Sequence, residues 1–110
     1  MSDTLRFRLP LLAAAQAQKH VTHNEALLRL DALSSLNLKT RGLSSPPAAT
    51  AGDCYQVAAS ATGDWSGKEG QIALWRDDAW HFFDAFEGLS GFIEDEDALA
   101  VYSGGDWQTV

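Results

Sequence analysis

Two twelve-residue segments, Ile72–Phe83 and Leu99–Val110, carry one pattern 27 positions apart: an alternating apolar stretch, a two-residue break, and a tryptophan two positions after the break. A period of two belongs to strands, and Asp77-Asp78 and Gly104-Gly105 occupy equivalent turn positions. Gly-Gly readily supplies the positive φ angles of a tight hairpin. Each segment therefore reads as a β-hairpin. The register fixed by the turns sets Trp75 opposite Trp80 and Tyr102 opposite Trp107, as cross-strand aromatic pairs. A weaker relative, Cys54–Trp65 with Thr62-Gly63-Asp64 as its turn, precedes them, so that a tryptophan closes three units. The expected sheet is an antiparallel meander of short, aromatic-rich hairpins. Its aromatic pairs, each worth about 0.5–1.5 kcal/mol beyond area burial, compensate for a small core.

Upstream the pattern changes. From Ala13 to Leu38 there is no Gly or Pro, and the residues are mostly good helix formers. The composition predicts a long N-terminal helix, roughly 35 to 40 Å if unbroken. Pro10 suits its entry, while Gly42 and Ser44-Ser45-Pro46-Pro47 provide a stop and a stiff connector. Val21, Leu27, Leu28, Leu30, Leu33 and Leu36 spread over too wide a surface for one small neighbour, which assigns them to oligomerisation or docking. Gln16, His20, His23 and Asn24 form a polar belt suited to fixing register between subunits. The expected fold class is α+β, with an arm and docking helix over residues 1–45 and a small antiparallel β domain over 46–110, together one compact unit.

At 110 residues the chain has room for a single modest core. No apolar run approaches the roughly 18 residues of a membrane-spanning helix. The net charge of −7 is uneven: residues 1–42 carry six Lys/Arg against three Asp/Glu, and residues 43–110 carry two against twelve. An acidic body disfavours nucleic acid, which needs clustered Lys and Arg. The polarity suits like subunits that pack basic segments against acidic neighbours. Cys54 is alone, which rules out an intramolecular disulfide. Arg6–Ala17 imitates a secretory signal, but its apolar stretch is short and Pro10 interrupts it.

Chemistry is sparsely signalled. His20 and His23 lie three apart near Glu25, without the four-residue spacing or third ligand of a metal site. Glu94-Asp95-Glu96-Asp97 lacks the alternating positions and central glycine of a calcium loop and reads as a solvated turn. Asp64, Asp77, Asp78 and Asp106 fall in predicted turns, and neither a nucleophile elbow nor a phosphate-cradling loop is present. No catalytic residue, metal or cofactor is expected. Trp75, Trp80, Tyr102 and Trp107 carry the alternative functional reading, a carbohydrate-binding module whose exposed rings stack on sugar faces.

The stretch Leu9-Pro-Leu-Leu-Ala-Ala-Ala-Gln-Ala-Gln-Lys-His-Val-Thr-His-Asn-Glu-Ala-Leu-Leu28 resembles the opening signature of an uncharacterised domain family found in virion proteins of alphaproteobacterial phages, prophages and gene transfer agents. Pro46-Pro47, Gly52–Val57, Gly63–Gly67, Gly70–Trp75 and the terminal aromatic hairpin are similar to that family too. The resemblance implies a non-enzymatic structural protein, the base or adaptor of a head spike or fibre that links the particle to a fibre binding the host capsule. It implies a homo-oligomer, a pentamer at a capsid vertex or a trimer on a fibre. Its implied partners are the major capsid protein and a separate spike fibre chain. Its implied place is the surface of a phage-like particle assembled in the bacterial cytoplasm; the charge balance and the short apolar runs make neither nucleic acid nor membrane an expected partner.

Overall fold

A computed structural model describes residues 3–11, 19–34 and 36–110, with side chains of the helix described from Asn24 onward. The helix α1 spans Lys19–Ser34. It passes through Thr22 and Asn24 without a break and ends well short of Leu38. The expected helical residues 13–18 lie outside the described residues. Seven strands follow: β1 (Leu36–Leu38), β2 (Cys54–Gln56), β3 (Gln71–Arg76), β4 (Ala79–Asp84), β5 (Ser90–Ile93), β6 (Ala98–Ser103) and β7 (Asp106–Thr109). The chain divides into two compact units with the boundary between Ser35 and Leu36, where the sequence suggested one after residue 45.

The α+β expectation of a long helix followed by a hairpin meander is overturned. The fold is mostly β, a single mixed sheet in the order β4-β3-β2-β1-β5-β6-β7. The three residues Leu36-Asn37-Leu38, read as the tail of the helix, form the central strand instead. They run parallel to both neighbours, with Leu38 opposite Cys54 on one side and Leu36, Asn37 and Leu38 opposite Gly91, Phe92 and Ile93 on the other. Tertiary pairing decides here against local propensity. Residues 39–53 supply the long connection that a parallel pair requires.

On either side of β1 lies a three-stranded antiparallel meander, β2-β3-β4 and β5-β6-β7. The two outer hairpins are those legible in the sequence. Asp77 and Asp78 adopt φ of 54° and 57°, and Gly104 and Gly105 adopt 65° and 86°, the left-handed pair that closes a two-residue hairpin turn. The predicted third hairpin is absent. Cys54–Gln56 pairs with β3, while Gly63–Trp65 forms a 3₁₀ turn that carries Trp65 into a core.

Cross-strand partners share a face. One face gathers Leu36, Leu38, Cys54, Ile72, Leu74 and Ile93, all buried, and forms the main core. Gly91 sits on this face because β1 and β5 approach closely: a Cβ there would lie 3.3 Å from both Cδ2 and the carbonyl oxygen of Leu36. The opposite face carries a second core in which Tyr55, Val57, Trp65 and Ala73 are buried and Trp80 and Phe82 pack against them.

The N-terminal unit has its own polar anchor. Asp31 of α1, buried, accepts hydrogen bonds from Thr4 Oγ1 at 2.7 Å and from the backbone N–H groups of Arg6 at 2.7 Å and Phe7 at 2.6 Å. Thr4 Oγ1 in turn accepts from the Leu9 N–H at 2.9 Å. A segment with little regular structure of its own is thereby fastened by one carboxylate, through bonds strengthened by its charge.

Candidate functional site

The left-handed Asp77-Asp78 turn fixes Trp75 opposite Trp80, with ring centroids 5.0 Å apart and planes at 64°. The connection from β2 to β3 folds back over the same face and sets Trp65 edge-on to Trp80 at 5.2 Å and 77°. Tyr55 completes the cluster, 5.8 Å from Trp65 and 5.9 Å from Trp80. Trp80 thus touches three rings, an arrangement favoured by their quadrupoles. The Trp65 indole nitrogen is buried without a hydrogen-bond partner among the described residues.

At the rim of this cluster opens a groove of about 340 Å³, lined by Trp75, Ala79, Trp80 and Phe82 and flanked by Asp64 and Asp78. The Lys68 ammonium lies 5.1 Å from the Phe82 ring centroid, so one aromatic face of the lining already holds a cation. The Asp64 and Asp78 carboxylates are exposed, and no described residue forms an ion pair with either.

Of the four rings nominated for sugar stacking, the structure brings Trp75 and Trp80 to the groove. Tyr102 and Trp107 do face each other as expected, at 5.4 Å and 71°, but on the interior face, where Trp107 is only 2% exposed. Its indole N–H donates to Gln56 Oε1. Trp107 is therefore core, and only the half-buried Tyr102 of this pair reaches solvent.

The nominated docking residues scatter. Leu36 is buried in β1 and belongs to the sheet. Leu27, Leu28 and Leu33 are half-buried on α1, and Leu30 is 55% exposed. Of the polar belt, Gln16 lies outside the described residues. His20 and His23 lie on α1, as does the nominated docking residue Val21, and no side-chain contact is described for these three. Asn24 is half-buried in the same helix.

Sequence reasoning missed an ionic clasp. Glu94-Asp95-Glu96, read as a solvated turn, forms a 3₁₀ turn whose carboxylates hold the end of β1. Lys39 Nζ lies 3.2 Å from Glu94 and 3.9 Å from Asp53, and Asn37 donates to Glu94. Arg41 forks onto Glu96 through Nε at 2.7 Å and Nη2 at 2.9 Å, and its Nη1 donates to the Trp107 carbonyl at 2.6 Å. The hydrogen bond to Glu94 holds Lys39 above the ordinary lysine value, and the bond to Glu96 does the same for Arg41. Burial, reinforced by the neighbouring Asp53 charge, raises the Tyr55 phenol. With Lys39 and Arg41 engaged inside the sheet unit, the charge asymmetry is smaller than the sequence suggested. Residues 1–35 carry four Lys/Arg against three Asp/Glu, and residues 36–110 carry four against twelve.

The fold defines a small, mostly β domain built on one mixed seven-stranded sheet. The chain belongs to the family described as protein of unknown function (DUF2793), whose model matches residues 23–108. No curated protein matches the sequence.

Proposed function

We propose that this chain is a non-enzymatic structural component of a virion surface, a homo-oligomeric base or adaptor of a head spike or fibre that connects the particle to a host-binding fibre. The observation that carries the reading is the incomplete cover of the leucines on α1. Leu30 is 55% exposed, and Leu27, Leu28 and Leu33 are each only half covered. A partner covering these leucines would remove apolar surface from water. A second copy is the occupant that fits its charge, because the N-terminal unit is slightly basic and the sheet unit strongly acidic. The Leu9–Leu28 signature supports the virion setting. Electron microscopy of particles from cells producing this chain, with the chain labelled, tests the reading. It should be found at a vertex or on a fibre, in five or three copies respectively, and particles devoid of it would refute the assignment.

The groove favours a second reading, in which Trp75 and Trp80 take the face of a pyranose while Asp64 and Asp78 accept from its hydroxyls. The 64° between the two rings denies a ligand the flat, shared platform that successive sugar units need, so this reading ranks second.

A further inference from the structure

We infer that the aromatic groove of one copy receives the Arg6-Phe7-Arg8 tip of a second copy, forming a head-to-tail contact. The inference rests on the homo-oligomer reading and adds to the α1 leucines a second contact between copies.

The tip has the features of a preformed knob. Phe7 is 50% exposed although its backbone is held rigidly, its N–H bonded to the buried Asp31 carboxylate. The Arg6 N–H is bonded to the same carboxylate, and Arg8 is fixed at a φ of 57°. An aromatic ring that projects into water from an anchored loop loses little entropy on docking, which is the condition for an interface anchor. No described residue pairs with the guanidinium of Arg6 or Arg8.

The groove has room for this knob and complements it in chemistry and charge. Its volume of about 340 Å³ admits a phenyl ring, and its walls are aromatic. Its two flanking carboxylates, Asp64 and Asp78, have no cationic partner in the sheet unit, whereas Lys39 and Arg41 are engaged by Glu94 and Glu96. Aromatic ring meets aromatic wall, and two guanidinium groups meet two carboxylates at the rim. A buried anchor inside a charged rim is the usual anatomy of a specific interface. Since knob and groove are different surfaces of one chain, the contact is heterologous and closes into a ring when the rotation per copy divides a full turn.

The full chain is to be examined by sedimentation velocity at micromolar concentration, as wild type and as Phe7→Ser and Asp64→Arg variants, with Arg8→Asp prepared as partner to the last. Association of the wild type should weaken about tenfold or more in Phe7→Ser, and as ionic strength rises. Asp64→Arg and Arg8→Asp should each weaken association alone, and their equimolar mixture should restore part of it, because every contact between unlike variants pairs opposite charges while a ring of five or three copies keeps one contact between like variants. Wild-type association that none of these variants alters would overturn the inference and leave the homo-oligomer reading standing. A wild type that stays monomeric refutes that reading itself. Saturable quenching of tryptophan fluorescence by maltohexaose, equal in wild type and Phe7→Ser, would give the groove to a saccharide and also overturn the inference.

Discussion

The indole N–H of Trp107 on β7 donates to Gln56 Oε1 on β2 at 2.9 Å, although four strand steps separate the two strands in the sheet. On a flat sheet those steps span about 19 Å, beyond the combined reach of the two side chains. The sheet therefore curls until its interior face closes on itself. A sheet of seven short strands buries its core by this curvature, with no second sheet among the described residues to cover it.

Trp107→Phe should test what that closure contributes. It removes the donor and leaves the Gln56 carbonyl oxygen buried without its partner, a loss of about 1–3 kcal/mol before any repacking cost. For a chain of this size that corresponds to a fall in melting temperature of roughly 4–8 °C per kcal/mol. The double variant Trp107→Phe, Gln56→Leu should recover part of the loss, since both polar groups are then gone. A strictly additive double variant would show that the hydrogen bond does not couple the strands.

Arg41 closes the same region from outside, linking Glu96 and the Trp107 carbonyl. Lysine in its place keeps the charge but not the planar fork, so Arg41→Lys should cost nearly as much as Arg41→Ala, about 1 kcal/mol in chemical denaturation for this partly exposed site. Full rescue by lysine would mean that charge alone matters there.

The hairpins were legible because their information is local: the breaks at Asp77-Asp78 and Gly104-Gly105 fix the pairs Trp75–Trp80 and Tyr102–Trp107 within six residues of chain. The centre of the sheet was not. Leu36-Asn37-Leu38 continues a run of good helix formers, and what makes it a strand is Cys54 on one side and Gly91–Ile93 on the other, some 16 to 55 residues away. A parallel pair carries no turn signature to announce it. The Glu94–Asp97 run hid its role for the same reason, because its partners Lys39 and Arg41 lie more than 50 residues earlier. Half of the candidate groove, Trp75 and Trp80, was visible as an aromatic pair. Phe82 follows two positions after Trp80 on the same strand face, whereas Asp64 joins only once the β2–β3 connection folds back.

Alkali should destabilise the fold. The neutral phenol of Tyr55 is the form its buried site prefers, and its pKa lies above the ordinary value of 10.0. Its stabilising contribution is whole below that value and is lost as the pH rises through the raised one. Lys39, raised above 10.5 by Glu94, loses its favourable charge pairing in the same direction. Thermal melting should be insensitive to Tyr55 between neutrality and about pH 9 and should fall more steeply above pH 10. Tyr55→Phe should flatten that alkaline fall, and an unchanged slope would remove Tyr55 from the account.

Gly91→Ala tests the closeness of the central parallel pair. The added methyl meets both a side chain and a backbone carbonyl of Leu36 at 3.3 Å, and the backbone cannot yield without shifting β1 against β5. A loss of about 1–3 kcal/mol is expected from overpacking, visible as a lower denaturation midpoint with an unchanged slope. A neutral outcome would show that β1 moves aside freely.

Asp31 connects the fold to the proposed assembly, because its carboxylate holds the loop that presents Phe7. Asp31→Asn retains the shape but turns one acceptor oxygen into an N–H₂ donor, facing groups that are themselves donors: Thr4 Oγ1 and the amides of Arg6 and Phe7. Hydrogen bonds to a charged acceptor are worth about 1.5–3 kcal/mol each, so the loop should detach locally while the sheet unit, which makes none of these bonds, stays folded. Hydrogen exchange should then accelerate at the Arg6 and Phe7 amides and stay unchanged in β3 and β4, and self-association should weaken as it does in Phe7→Ser. Faster exchange with undiminished association would separate the loop from the interface, whereas protection at Arg6 and Phe7 equal to that of the wild type would mean that Asp31 is not what holds the tip in place.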